Sequence, residues 1–397
     1  MVLNIVDLAS YFDAHDVSPD GWPVLCNVVA PNQTALEAVP SWPAAALPSS
    51  GRVGSGRGLT HSEALESGLG SAIELACACR WPDLETTRAN VSELEGEVWD
   101  AAMLSGFSRS QLDKPTAWNT AFAGVDNIRI PESETHEWVR GLSVDGQTVW
   151  LPADVVYISD APHGTYVIAD TNGCAAGETD KAARSAALFE LIERDATGRW
   201  WYGKRARRRL TSTTLGLGVA ACVTACSDAG IDLQLVDITS DLDVPCVAAV
   251  GKSSAEYVAC GFAAAARFEE AATKAVTEMA QMFLVIRGGM AGAVIRPGLS
   301  QWLSEVTMRT PPLSLIKTSK NRIPEAPQSI GSRLTDAGVR IAFVNISRSE
   351  FGVPVWRAVS PDLCHWKPRF GRDRLLMPDW HDHAPPDVTP NSVFLRL

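Results

Sequence analysis

Glu190 and Glu193 stand three residues apart in the stretch TNGCAAGETDKAARSAALFELIERDATGR, with Arg194 and Asp195 directly after them. A glycine-broken turn feeds a long amphipathic pattern that predicts a helix over about 180–200. Carboxylates at i and i+3 share one face of such a helix. A buried face of that kind holds more negative charge than an apolar core tolerates unpaired. A divalent cation with phosphate oxygens would neutralise it, and so would an arginine. A solvated helix face with ordinary ion pairs is the alternative reading of a single Glu-x-x-Glu.

Two further stretches repeat the theme. Residues 54–75, GSGRGLTHSEALESGLGSAIEL, again lead from glycines into a helix over about 60–79, with Thr60 or Ser62 as its cap. Ser67, Ser71 and Glu74 follow at i, i+4 and i+7 on one face, while Ala64, Leu65, Leu69, Ala72 and Ile73 supply an apolar one. A third helix is predicted over 263–287, AAAARFEEAATKAVTEMAQMFLVIR. There Glu278 and Gln281 sit among Ala275, Val276, Met279, Ala280 and Met282. Three helices that each carry acid or amide groups among small apolar residues point to one shared polar site.

The chain has 397 residues, 46% of them hydrophobic, enough for a substantial core. Its net charge of −11, from 46 acidic and 35 basic residues, argues against a general nucleic-acid binder. The run Lys204–Arg209, KRARRR, reads as a solvated loop, with a phosphate contact or a dock for an acidic peptide as alternatives. The N-terminus lacks a basic segment and carries an early acid, so no signal peptide is expected. No membrane span is expected either, because no window approaches eighteen uninterrupted apolar residues. The nine cysteines are scattered, and only Cys77/Cys79 and Cys222/Cys226 lie close in sequence. They read as buried thiols in a reducing, cytoplasmic compartment, and a structural zinc site is not expected. His163, His381 and His383 read as polar surface residues, and Thr211–Thr214 as a helix start.

Strand signals fall at 22–30, 148–160, 164–170, 233–240, 245–253, 339–347 and 352–360, and a core helix at 215–229. Residues 41–50 read as loop, 83–145 as helices and irregular surface, and the tail from 366 as irregular. Strands separated by long helices, without a Gly/Ser linker, predict one α/β (α+β) body of mixed or antiparallel sheet. The divisions expected are an N-terminal segment over 1–50, a catalytic body over 51–365 and a tail over 366–397. The glycine turn and Glu-bearing helix near 56–75 return near 173–194 as a weak internal echo.

The segment TNGCAAGETDKAARSAALFELIERDATGRWW resembles the signature of the YcaO superfamily, as do GRGLTHSEALESGLGSAIE, AVTEMAQ and DITSDLDVPCVAAV. The resemblance extends over roughly 50–363. It implies helices converging on a nucleotide cleft and an ATP- and Mg2+-dependent enzyme acting on peptide backbones. Members phosphorylate an amide oxygen before a nucleophile attacks the amide carbon. A Cys, Ser or Thr side chain then gives an azoline, a sulfur source gives a thioamide, and an amine gives an amidine. No GxxxxGK[ST] is present, in agreement with a nucleotide site of non-Walker type. Carried onto this chain, the resemblance assigns Ser67, Ser71, Glu74, Glu178, Glu190, Glu193, Arg194, Glu278, Gln281 and Arg357 to the cofactor. Of these, Glu74, Glu190, Glu193 and Glu278 would serve as metal ligands. No catalytic base is assigned.

This chain departs from the family pattern at three positions. Ser71 and Ala182 stand where the family usually has glutamates, and Glu178 where it usually has asparagine. A hydroxyl joins a magnesium shell more weakly than a carboxylate. Either Glu178 restores charge from another direction, or the chain is a degenerate partner of an active enzyme. The ending WHDHAPPDVTPNSVFLRL lacks the PxPxP spacing of azoline formers, which brings thioamidation forward. The partners implied are a precursor peptide, a separate ThiF-like leader-binding or TfuA-like protein, and a second copy in a homodimer. A non-catalytic scaffold is the other class of reading, with Trp200 and Trp201 beside the basic run as its interaction surface.

Overall fold

The computed structural model describes residues 10–39, 54–121, 126–131, 136–159, 165–167, 169–212, 215–286, 299–317, 330–378 and 395. The loop expected at 41–50 and His163, Thr213, Thr214, His381 and His383 lie outside them. In chain order the strands are β1 (Phe12–Asp16), β2 (Leu25–Pro31), β3 (Gly54–Gly58), β4 (Thr87–Ala89), β5 (Glu97–Val98), β6 (His136–Ser143), β7 (Thr148–Pro152) and β8 (Cys174–Ala176). There follow β9 (Arg207–Leu210), β10 (Ile231–Asp237), β11 (Cys246–Ser253), β12 (Val258–Ala264), β13 (Ile316–Lys317), β14 (Ala342–Asn345) and β15 (Val355–Val359). The four long helices are α1 (His61–Ala78), α2 (Asp180–Tyr202), α3 (Leu217–Asp228) and α4 (Phe268–Ile286). The chain is a mixed α/β fold of two compact units. One comprises Met1–Val17, Cys26–Leu191 and Arg340–Pro361, the other Ser18–Leu25, Ile192–Val339 and Asp362–Leu397.

In the first unit α1 starts where the sequence places it. Thr60 accepts the Glu63 N–H while the Glu63 carboxylate accepts that of Thr60, a reciprocal cap. The helix lies on a three-stranded sheet in the order β1-β2-β3. The glycines of GSGRG explain how close it comes. A Cβ on Gly56 would fall 2.0 Å from the Ala64 carbonyl oxygen, and one on Gly54 2.6 Å from the Ala72 nitrogen. Gly68 on the helix answers them, since a Cβ there would meet Asn27 Oδ1 at 2.2 Å. Gly56→Ala is therefore expected to destabilise the protein by about 1–3 kcal/mol or more, because backbone must move to admit the methyl. A denaturant midpoint equal to that of the parent would show that this contact is looser than described. The second sheet of the unit runs β5-β7-β6-β14-β15-β8, with β4 added on β6. Its core joins Ile73 and Ala76 of α1 to Val139, Val149, Leu151, Val344 and Val355.

In the second unit the sheet runs β12-β11-β10-β9-β13, antiparallel except for β9 with β13. Helices α3 and α4 cover it through Val219, Leu233, Leu235, Ala272, Met279 and Phe283. Only Val219, Cys222 and Cys226 of α3 are buried, so one face of that helix belongs to the core.

Several expectations are corrected here. Residues 153–156 turn helical after β7, and 165–167 with 169–170 form no strand. The span 83–145 contributes β4, β5 and β6 to the sheet. Ala263 and Ala264, expected in the third helix, end β12, and the helix begins at Phe268. The basic run is no solvated loop. Arg205 donates to the carbonyls of Arg199, Leu375 and Met377, and Arg207 is buried on β9. Trp200 and Trp201 are fully buried, against Phe262 and Trp302 respectively, so they form no interaction surface. Residues 366–377 pack into this unit rather than trailing from it: Tyr202 donates to the Trp366 carbonyl and stacks edge-on against Phe370. All nine cysteines are buried and free.

Candidate functional site

Six of the ten residues assigned from sequence lie in the first unit. Ser67, Ser71 and Glu74 form a half-buried stripe along α1, as the i, i+4, i+7 spacing requires. Glu74 accepts the Ala176 N–H at 2.9 Å. Ala176 ends β8, which among the described residues is an edge strand with no further strand beside it to take the outward N–H. The helix carboxylate therefore satisfies a sheet edge, and that bond fixes where Oε1 points.

The electrostatics of Glu74 identify its neighbours. Burial pushes its pKa up to about 8; the Ala176 N–H opposes this, the Glu190 charge adds to it and Arg57 pulls it down. Glu74 and Glu190 thus lie near one another, with Arg57 of β3 as the cation beside them. A carboxyl held high by burial is one that a bound cation would return to its charged form. Arg57 was not singled out from the sequence. The signal was present, because the alternation GSGRG places its glycines on one face and Ser55 and Arg57 on the other.

Glu178 is exposed in the turn before α2. Arg357 is buried on β15 and spends Nη1 on the carbonyls of Val156 and Asp170, at 2.8 and 2.7 Å. Its Nε is buried without a hydrogen-bond partner among the described residues. Opposite it in the ladder is Cys174, whose thiol burial pushes up to about 12; Arg357 lowers it while Glu190 and Glu74 raise it. Cys174 stays a thiol at neutral pH and is no nucleophile.

The other four residues lie in the second unit. Glu193 and Arg194 pair at 3.1 Å, and both are largely buried on α2. Glu278 of α4 accepts the Phe262 N–H of β12 at 2.5 Å. β12 is the edge of the five-stranded sheet, so Glu278 repeats what Glu74 does in the first unit. Gly261 lets α4 approach, since a Cβ there would lie 2.3 Å from both Ala275 O and Met279 N. Burial and the Glu278 charge push the Cys260 thiol up to about 12. Gln281 is buried one turn further along. The main-chain donors of Ala176 and Phe262 were invisible in the sequence, because no side-chain pattern announces which strand ends at a sheet edge.

Each unit thus offers two carboxylates and one guanidinium: Glu74, Glu190 and Arg57 in one, Glu193, Glu278 and Arg194 in the other. Hard oxygen donors suit magnesium, and planar guanidinium groups suit phosphate. Among the described residues no group of three or more His, Cys, Asp and Glu side chains is arranged to hold a metal ion unaided. A donor set of this size fits Mg2+ that arrives with phosphate oxygens and retains water. It does not fit a caged structural metal. Among the described residues no helix is long and apolar enough to cross a membrane.

Comparison with known proteins places the fold. An uncharacterised protein of Methanothermobacter thermautotrophicus is 27% identical over 241 residues, which are 57% of this chain and 56% of that protein. Among solved structures, a "Heterocyclase in complex with substrate and Cofactor" superposes with a TM-score of 0.76 at 22% identity, covering 92% of this chain and 51% of its own. The YcaO from Methanopyrus kandleri bound with AMPPCP and Mg2+ superposes with a TM-score of 0.60 at 18% identity, covering 88% and 85%. At these identities the two structures show the fold. The chain spans about half the length of the heterocyclase and of the curated relative. A family model described as YcaO cyclodehydratase, ATP- and Mg2+-binding, matches residues 55–364. With well over half of its length matched, the chain belongs to the YcaO family, and ATP and Mg2+ are its cofactors.

Proposed function

We propose that this chain activates a backbone amide of a ribosomally made precursor peptide, giving an azoline or, with a sulfur donor, a thioamide. The observation that supports this reading is a duplicated arrangement: in each unit one helix glutamate, Glu74 or Glu278, is oriented by an edge-strand N–H, and a guanidinium accompanies it. Glu74, Glu190, Glu193 and Glu278 would hold magnesium, and Arg57 and Arg194 phosphate oxygens. ATP with Mg2+ supplies the phosphoryl group that turns the amide oxygen into a leaving group. The chain's own part is positioning and charge. The Ala176 and Phe262 N–H groups keep one oxygen of Glu74 and of Glu278 engaged, which holds those carboxylates in fixed orientations for their ligands. A separate ThiF-like or TfuA-like protein is the expected partner for delivering the peptide, and a homodimer is a further expectation.

Intact mass of the precursor after incubation with the protein, ATP, Mg2+ and each partner in turn tests the reading. Loss of one water per site reports an azoline, and exchange of oxygen for sulfur a thioamide. An unmodified peptide under all conditions, with no ATP consumed, overturns it. Ser71 and Ala182, small where the family pattern has acids, favour a second reading, in which the chain is a degenerate partner of an active enzyme. That reading requires the chain to stimulate a homologue while consuming no ATP itself.

A further inference from the structure

The middle of α1 contains two glycines with opposite explanations. Gly68 faces β2, where a Cβ would collide with Asn27 Oδ1 at 2.2 Å and Val29 Cγ2 at 2.6 Å. The packing of this unit accounts for it. Gly70 faces the other way. A Cβ there would meet nothing within 4 Å among the described residues. Its φ lies outside the left-handed range, so the backbone does not require glycine either. Glycine inside a helix is less stabilising than alanine. Nothing described in the free protein offsets that loss.

The location gives Gly70 a use. It stands between Ser67 and Ser71 and one turn before Glu74, on the half-buried stripe of the site described above. Serine, glycine and serine leave the helix with a bare notch leading to the carboxylate that Ala176 holds. A missing Cβ permits close approach of a ligand to the main chain. We propose that Gly70 is a steric determinant of nucleotide binding: the triphosphate-bearing ligand packs directly against the α1 backbone there, and bulk at position 70 excludes it. This rests on the nucleotide site proposed above and adds a position to it that makes no polar contact of its own.

The test uses the full chain, with Mg-ATP as the probe and no peptide present. Gly70→Ala should raise the melting temperature by about 1–4 °C, through helix propensity alone. The same variant should bind Mg-ATP at least tenfold more weakly by calorimetry, and Gly70→Leu more weakly still. Gly218→Ala is the control. That glycine, at the start of α3, is equally open, so stability should rise there while ATP affinity stays at the parent value. Because Gly70→Ala is expected to be more stable than the parent, weakened binding cannot be put down to misfolding. ATP affinity unchanged in both Gly70 variants overturns the inference, as does a fall in melting temperature for Gly70→Ala. Failure of the parent chain to bind ATP at all is a different result, which strikes the nucleotide reading itself.

Discussion

Replacing Arg374 with methionine is expected to destabilise the protein by about 3–5 kcal/mol, since it breaks a buried ion pair and leaves one partner charged. Asp195 on α2 is fully buried. It accepts Arg374 Nε at 3.1 Å and Nη2 at 2.8 Å, a bidentate pair, and the Cys364 N–H at 2.9 Å. Arg374 also reaches both oxygens of Asp241, at 3.0 and 2.8 Å, and Asp241 pairs with Arg199. In the variant the charged group nearest Asp195 is Arg199, at 3.7 Å. Lysine at 374 should recover only part of the loss, because a single ammonium cannot make the forked contact. The pH dependence follows from Asp195. Burial pushes its pKa up, but Arg374 and then Arg199 outweigh burial and hold it below the usual carboxylate range. A depressed carboxyl contributes stability above its unfolded pKa, which is lost as pH falls through the folded value. Without Arg374 the burial effect gains ground and the pKa rises. The gap between parent and variant should therefore be widest near neutrality and narrow as the pH drops below about 4. Denaturant unfolding at neutral and acid pH reads both effects. Cleavage by chymotrypsin at Trp366 or Phe370 would report release of the segment. A difference below about 1 kcal/mol at neutral pH would mean that the network is in effect a surface one.

That network also shows where sequence reading reached its limit. The helices α1 and α2 were legible to within two residues, because periodicity, a capping box and glycine turns agreed. The tail from 366 was read as irregular, which described its backbone and missed its role. Nothing local in RDRLL reveals that its second arginine pairs with an aspartate 179 positions earlier. Strands built from small residues were the other gap. GSGRG has almost no β-propensity, and it is a strand because its missing side chains let α1 lie close. VACGFAA was missed for the same reason: alanines carry no period, so Ala263 and Ala264 were placed in the following helix. For the site, helical spacing named the carboxylates of α1, α2 and α4. It could not name the edge-strand amides that orient two of them.

Glu190→Gln and Glu193→Gln together are expected to weaken Mg-ATP binding roughly a hundredfold or more, as two charged contacts worth about 1.5 kcal/mol or more each are lost. Glutamine keeps the shape of each side chain, so α2 should remain folded. The two substitutions act differently in the free protein, and this makes the test specific. Glu190 raises the pKa of Glu74, which burial has already brought to about 8. A carboxyl whose folded pKa is raised loses stability as pH climbs from the unfolded value towards the folded one. Glu190→Gln removes a like charge and lowers the Glu74 pKa. The empty single variant should accordingly match the parent near pH 5 and become the more stable of the two as the pH rises towards about 8 and above. Glu193→Gln has the opposite sign, because it takes away the carboxylate that Arg194 meets at 3.1 Å. A site that holds its cation with carboxylates is strained when empty and relieved when charge is removed. An ordinary ion-paired helix face would lose stability in both variants and leave ATP affinity alone. Calorimetry with and without Mg2+, paired with melting curves of the empty single variants across that pH range, separates the two. Equal ATP affinity in the double variant and the parent would show that neither Glu190 nor Glu193 holds metal.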